Sequence, residues 1–232
     1  MAAVLFFIFS LIWYLPFYFR QGKTDRLPFK YCLLAIFLGM IPVFIISVGC
    51  QVLWGFLGKW LGLTGWAKNA FEAFFTAALT EELFKCAAAL FVIKKAKPKR
   101  RIDYALLFGG VGLGFGLVEH TIDMTNVASA IFGSVLALHL FWQYFMGLEY
   151  YEYKKRAPGG KIHLVLALLV PFLLHGINDF LAFTLSDITQ LKDLDDLSAI
   201  MILAWVVWII LTLVFIIYML IRVNRAVKES RQ

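Results

Sequence analysis

Two glutamates and a lysine lie within a segment of the chain that is otherwise apolar. Glu81, Glu82 and Lys85 stand in "NAFEAFFTAALTEELFKCAAALFVI", residues 69–93. In a helix, Glu81 and Lys85 are i, i+4 and Glu82 and Lys85 are i, i+3, so either carboxylate can share a face with the lysine. Neighbouring side chains on a helix point about 100° apart, which predicts different roles for the two glutamates. Glu81 is expected to be a general base that activates water, and Glu82 is expected either to pair with Lys85 or to polarise the site.

Two histidines and two further carboxylates lie in three other apolar segments. Glu119, His139 and His175 belong to separate segments, and Asp179 follows His175 at i+4. Two imidazoles and one carboxylate from different helices can hold zinc and leave a fourth position open for water. A further glutamate nearby could take the proton as that water attacks a carbonyl. Asp179 would then be either a fourth ligand or the group that orients His175.

The elements that position these residues are predicted to be membrane-spanning helices. Hydrophobic residues make up 62% of the 232-residue chain, whereas soluble domains are about half apolar. A span needs about 20 apolar residues, and backbone groups in lipid must pair within their own segment. We therefore expect an all-α integral membrane protein, with a single polytopic domain over residues 1–232 and a motif-bearing core at about 67–185. The seven expected spans are residues 2–19, 31–56, 67–93, 104–119, 127–151, 162–185 and 198–221.

The distribution of basic residues predicts the orientation of these spans. Eighteen of the 22 Lys and Arg residues lie in alternate connections, whereas only Lys59, Lys68 and Lys192 lie on the other side. The positive-inside rule then places the N-terminus outside and the C-terminus in the cytoplasm. The net charge of +7 therefore indicates membrane topology and not a nucleic-acid partner. The three cysteines are scattered, which predicts neither a disulfide framework nor a thiolate zinc site.

Four of the polar residues are expected to lie at one depth in the membrane. Counted from the charged residue that ends each span on the cytoplasmic side, the distance is 13 residues for Glu81, 16 for Glu119, 15 for His139 and 14 for His175. At about 1.5 Å per residue this corresponds to roughly 20–24 Å. Nothing in the apolar pattern requires that coincidence. A single shared site would produce it.

Each part of this pattern also has a purely structural explanation. The Glu81, Glu82 and Lys85 group could be an internal salt bridge that neutralises a helix, and Glu119 could be an interfacial residue. A single intramembrane histidine is as often a hydrogen-bonding residue between helices as a ligand. His120 could serve as a spare ligand. The common depth of four residues on four helices is what favours a site.

At these residues the sequence resembles the PrsW family of intramembrane metalloproteases. That family shows EExxK, FxxxE, a histidine-bearing helix and HxxxD, in that order. The corresponding segments here are "EELFK" at 81–85, "FGLVE" at 115–119, "ALHLFWQYFMG" at 137–147 and "HGIND" at 175–179. The match runs from about residue 75 to 185. At the second motif the family often has Glu-Asn, whereas this chain has Glu119-His120, which changes the possible ligand set.

The resemblance implies a peptide-bond hydrolase that acts within the membrane and is related in plan to the CAAX-processing proteases, with Glu81 and Glu82 essential. It also implies regulated cleavage of a single-span protein, such as an anti-sigma factor, in a bacterial or archaeal inner membrane.

The first hypothesis is therefore a zinc-dependent intramembrane endopeptidase that acts on a transmembrane protein. Glu81, Glu82 and Lys85 would form its catalytic group. The metal would be held by Glu119, His139, His175 and Asp179.

Two other classes of protein remain open from the residues alone. A proton- or metal-coupled transporter could use the same buried groups as a relay. No inverted repeat is visible, however, and seven spans do not divide into equal halves. A membrane scaffold could use the polar layer only for helix association.

Overall fold

The computed structural model describes residues 2–23, 25–123, 137–155, 158–189 and 196–232, and within these ranges every regular element is helical. The side chain of His120 and the first part of the expected fifth span, residues 127–136, lie outside the described residues. The α-helices are α1 (Ala2–Arg20), α2 (Phe29–Leu38), α3 (Phe44–Trp60), α4 (Gly65–Phe71), α5 (Thr80–Ala96), α6 (Arg101–Asp123), α7 (Leu138–Lys154), α8 (Gly160–Thr189) and α9 (Asp196–Glu229).

Two π-helical segments join some of these helices into longer rods. The first, Gly39–Val43, connects α2 to α3 and contains Pro42, which has no N–H to continue an α-helical ladder. The second, Glu72–Leu79, connects α4 to α5 directly before the two glutamates. Wider π turns occur often at functional sites. The described helices thus form seven rods that correspond to the seven expected spans.

Four of the described helices are long and apolar enough to cross a membrane. They are Phe29–Trp60, Arg101–Glu119, Gly160–Asp187 and Ala199–Glu229. The structure therefore confirms that the described residues are helical, with several helices that are long and apolar enough to cross a membrane. The number of seven spans and the outward N-terminus stay predictions.

The central rod is α6, in which every residue from 102 to 117 is buried. Gly110 and Gly114, like Gly112 and Gly116, are four residues apart, a spacing that lets neighbouring helices approach closely. A Cβ on Gly114 would collide with the carbonyl oxygen of Ile36 in α2, and one on Gly112 would collide with the carbonyl oxygen of His139 in α7. The close approach to α7 brings His139 towards the polar residues of α5 and α6.

Ion pairs tie the helices together at the end where the basic connections lie. Arg222 in α9 bonds one oxygen of the buried Glu149 in α7 at 2.5 Å, and His163 in α8 bonds the other at 2.6 Å. Arg101 at the start of α6 lies 3.0 Å from Glu152 in α7. These contacts link α7 to α6, α8 and α9 and so fix the positions of the four helices relative to one another.

The glycine packing can be tested by adding a side chain where no space exists. We expect Gly114→Val to lower the free energy of unfolding by about 1–3 kcal/mol, because α2 and α6 must separate to admit the new methyl groups. Gly49→Val is the matched control, since nothing lies within 4 Å of a Cβ there. Denaturant titration in detergent micelles measures both variants. Equal stability of the two would contradict close packing at Gly114.

Candidate active site

The residues at the start of α5 form a buried charged cluster. Glu81 and Glu82 are each 3% exposed, and Lys85 is fully buried. The Lys85 ammonium donates to Glu81 Oε2 and to Glu82 Oε1, both at 3.0 Å. It also lies 3.9 Å from the centre of the Phe115 ring in α6, which adds a cation–π contact. One cation thus lies between two carboxylates on the face that the i+3 and i+4 spacing predicts.

His139 in α7 joins this cluster to Glu119 in α6. Its Nδ1 lies 3.0 Å from the Lys85 ammonium, and its Nε2 lies 2.5 Å from Glu119 Oε2. An ammonium group can only donate hydrogen bonds, so Nδ1 is the acceptor and Nε2–H donates to the carboxylate. The lone pair of His139 Nδ1 is therefore directed towards the Lys85 ammonium, which also binds the two glutamates of α5.

His175 in α8 approaches the same cluster from another side. Its Nδ1 lies 3.0 Å from Glu82 Oε1, and its Nε2 lies 3.2 Å from Asp179 Oδ2 and 3.7 Å from Glu81 Oε2. Both ring nitrogens face carboxylate oxygens. A proton on each nitrogen, or a cation bound to one of them, satisfies that arrangement.

A group of three residues has the geometry to hold a metal ion. Glu81, His139 and His175 each offer one ligand atom, and the three atoms lie within 4.8 Å of one another. Nitrogen and oxygen donors of this kind suit zinc, and three protein ligands leave one position open. The residues therefore fit a metal ion, provided that the Lys85 contact with His139 Nδ1 is given up.

The structure brings all seven residues expected from the sequence into one connected cluster, but it groups them differently. Glu119 and Asp179 contact the imidazoles of His139 and His175. Glu81, expected as the base, belongs to the group that can hold a metal. The spacing of residues along the helices could not distinguish these arrangements.

Four further residues support the cluster and were missed in the sequence. Gln143, one turn after His139, donates from Nε2 to Glu82 Oε2 at 2.6 Å. Gln51 in α3 donates to Glu81 Oε1 at 2.9 Å. Trp208 in α9 donates to Asn178, whose amide in turn contacts Asp179. The two glutamines are uncharged, so a search for ionisable residues passes over them, but each is an isolated amide inside an apolar run.

A cavity of about 610 Å³ leads to the cluster. Gln51, Glu81, Glu119, His139 and Asp179 form part of its wall, whereas Glu82 and Lys85 do not line it. The cluster thus has one side that faces this cavity, and Glu82 lines a second, mostly apolar pocket of about 310 Å³ against α8.

Comparisons with known proteins agree on one family. A family model described as PrsW family intramembrane metalloprotease matches residues 27–219. A Protease PrsW from Oceanobacillus iheyensis is 33% identical over 123 residues, which cover 51% of this chain and 57% of that protein. A Protease PrsW from Geobacillus kaustophilus is 27% identical over 173 residues, which cover 72% of this chain and 73% of that protein. The match to the first relative thus spans little more than half of its length. No solved structure matches the chain.

The central position of Lys85 predicts a large effect of its removal. We expect Lys85→Met to lower the free energy of unfolding of metal-free protein by about 3–5 kcal/mol, because two buried carboxylates lose their cation. Lys68→Met is the matched control. Lys68 and Glu72 are also i, i+4, but their side chains are 55% and 38% exposed and 3.7 Å apart, so a change of about 0–1 kcal/mol is expected. Denaturant titration in micelles with a chelator present measures both, and a similar small loss in both would contradict this role of Lys85.

Proposed function

The chain belongs to the PrsW family of intramembrane metalloproteases, and on that premise we propose that it hydrolyses a peptide bond in a membrane-embedded protein. The observation that carries the proposal is the buried group of Glu81, His139 and His175, whose ligand atoms lie within 4.8 Å of one another beside a cavity. A donor set of this kind next to open space is what a hydrolytic metal site requires.

In the proposed site, Glu81, His139 and His175 hold the metal ion. This assignment takes Glu81 as the carboxylate ligand in place of Glu119, because Glu119 is bonded to His139 Nε2 and does not belong to the group of three. Zinc is the metal that best suits these donors, and when bound it supplies a Lewis acid that polarises a carbonyl and acidifies water.

The other charged residues would have distinct roles. Glu119 lines the cavity and would accept the proton of the attacking water, which then passes to the nitrogen of the leaving amine. Glu82 would orient His175 by accepting a hydrogen bond from its Nδ1–H, which leaves Nε2 for the metal. Asp179, whose Oδ2 lies 3.2 Å from that Nε2, would be close enough to serve as a fourth ligand. Lys85 would keep Glu82 ionised and in place.

The proposed substrate is a protein with a single membrane span, and an anti-sigma factor is one such protein. The proposed location is the cell membrane of a bacterium or an archaeon, where the chain would cross the bilayer several times. A transporter that uses the same Glu and His layer is not favoured, because the family match indicates a protease.

The activity can be tested with two variants of the cavity-facing glutamates. The test uses cells that also produce a panel of single-span membrane proteins. We expect the wild-type chain to cleave one of these proteins, so that the amount of its full-length form falls. Glu119→Gln should lower this cleavage by about 10²–10⁴-fold, because a general base is lost. Glu81→Gln should abolish it, because a metal ligand is lost. Glu152→Gln, which changes a carboxylate paired with Arg101 far from the site, should retain it. Immunoblots measure the full-length partner, and continued cleavage by Glu81→Gln would contradict the proposal.

The metal content of purified protein separates the roles of these glutamates. We expect about one zinc ion per chain in the wild type, with the ion lost in Glu81→Gln and retained in Glu119→Gln. Elemental analysis measures the ratio. The reverse pattern would make Glu119 the ligand, as the sequence suggests, and a wild-type chain without metal would contradict a metal site at this group.

A further inference from the structure

Gln51 in α3 lies between the candidate site and the cavity. Its Nε2 donates to Glu81 Oε1 at 2.9 Å, and its side chain forms part of the cavity wall. Its neighbours Val52 and Leu53 are 55% and 69% exposed, in a part of the chain where lipid is expected. An amide in hydrocarbon has no hydrogen-bond partners, so a glutamine in such a helix is stable only when it faces inward. Helix α3 thus presents an uncharged amide to the site.

The Gln51 amide has hydrogen-bonding capacity that the cluster does not use. A primary amide carries two N–H donors and one oxygen acceptor. The bond to Glu81 uses one N–H, and Gln51 makes no other hydrogen bond among the described residues. The side chain is half-buried, and its Oε1 is not enclosed by protein. One donor and one acceptor therefore stay available to a molecule in the cavity.

The other polar groups of the wall differ from Gln51 in this respect. The carboxylates of the wall accept hydrogen bonds but do not donate them when they are ionised. Asn178 already has bonds at both its oxygen and its nitrogen. The hydroxyl oxygens of Ser47 and Thr76 are enclosed by protein. Gln51 differs from all of these because its oxygen and one of its N–H groups are both uncommitted.

A peptide that is cleaved inside a membrane needs a partner with a donor and an acceptor. In a membrane-spanning helix the backbone N–H and C=O groups bond within the helix, and the helix must unwind where a bond is to be cleaved. Each backbone group freed in this way costs free energy if it stays unpaired. A side-chain amide has the same donor and acceptor as a peptide group. It can therefore pair with an extended segment, as a neighbouring β-strand does.

From this geometry we infer that Gln51 binds the backbone of the peptide substrate in the cavity. Its Oε1 accepts a hydrogen bond from a substrate N–H, and its second Nε2–H donates to a substrate carbonyl oxygen. The bond to Glu81 fixes the orientation of the amide. Because Glu81 is one of the proposed metal ligands, the bound backbone lies next to the bond that is cleaved. The inference rests on the proposed function, and it assigns substrate binding to main-chain groups, which every sequence has.

The test compares two forms of one model peptide. The peptide has about 20 residues of leucine and alanine, enough to span a bilayer, with a central Gly-Gly pair that favours unwinding. The central bond is an amide in one form and an ester, which has no N–H, in the other. Binding is measured in detergent micelles with Glu119→Gln protein, which lacks the proposed general base and leaves the peptide intact. We expect the amide form to bind about 5–100-fold more tightly, because the ester leaves Gln51 Oε1 without a partner.

Two further variants of the Glu119→Gln protein show which residue causes the preference. Gln51→Met should bind both peptides with equal affinity, because methionine has neither an N–H donor nor an oxygen acceptor. Gln143→Met is the matched control, since Gln143 also donates to a glutamate of the cluster but does not line the cavity. It should keep the preference. The comparison of affinity ratios cancels the effect of the ester on the peptide itself.

Several results would overturn the inference. They are a lack of peptide binding to the Glu119→Gln protein, equal affinity for the two forms, a preference that persists in Gln51→Met and a preference that Gln143→Met abolishes. If Gln51→Met does not fold, Gln51→Asn replaces it. Its amide is one methylene shorter and cannot reach both Glu81 and the peptide, so the preference should fall, and an undiminished preference would again overturn the inference.

Failure of this inference and failure of the proposed function give different results. A wild-type chain that cleaves a partner, together with equal affinity of the Glu119→Gln protein for both peptides, contradicts peptide binding by Gln51 alone. A preference for the amide form that depends on Gln51, together with a wild-type chain that cleaves nothing, contradicts the protease activity alone.

Discussion

The candidate site depends on a single ammonium group that pairs with two neighbouring carboxylates inside the protein. An isolated buried charge costs several kcal/mol, and attraction offsets that cost only when the pair has good geometry and its remaining oxygens are hydrogen-bonded. Lys85 lies 3.0 Å from both Glu81 and Glu82. Gln51 and Gln143 donate to the oxygens that the lysine does not reach. Helices α3 and α7 therefore contribute to the same charge balance as α5.

This balance also explains why the central helix has so little side-chain volume where it crosses α7. The carbonyl oxygen of His139 and the side chain of Gln143 lie against Gly112. A larger residue there would push α7 away from α6, and His139 would lose its contacts with Lys85 and Glu119. The distance between α6 and α7 therefore determines both the helix packing and the electrostatics of the site. The polar side chains can form their hydrogen bonds only at the short helix separation that glycine permits.

The layer of polar residues could be predicted because the helical rise is constant and the charged ends of the spans mark the membrane boundary. The partners of each residue could not. Spacing along a helix determines the face of Glu119. It does not determine the side-chain rotamer, which brings Glu119 to His139 Nε2 and keeps it out of the group of Glu81, His139 and His175. The π-helical turns of Glu72–Leu79, which lie directly before Glu81, have no signal such as proline in the sequence. The supporting role of Gln51 depends on contact between distant segments, and no local pattern predicts that contact.

The two glutamates of α5 have different surroundings. Glu81 lines the large cavity together with Glu119. Glu82 does not line that cavity, and its Oε1 contacts both the Lys85 ammonium and His175 Nδ1. Adjacent side chains on a helix point about 100° apart, so one carboxylate can reach the cavity while its neighbour holds an imidazole of another helix. Placing two glutamates in sequence therefore gives the cluster both an accessible carboxylate and one that is committed to contacts between helices.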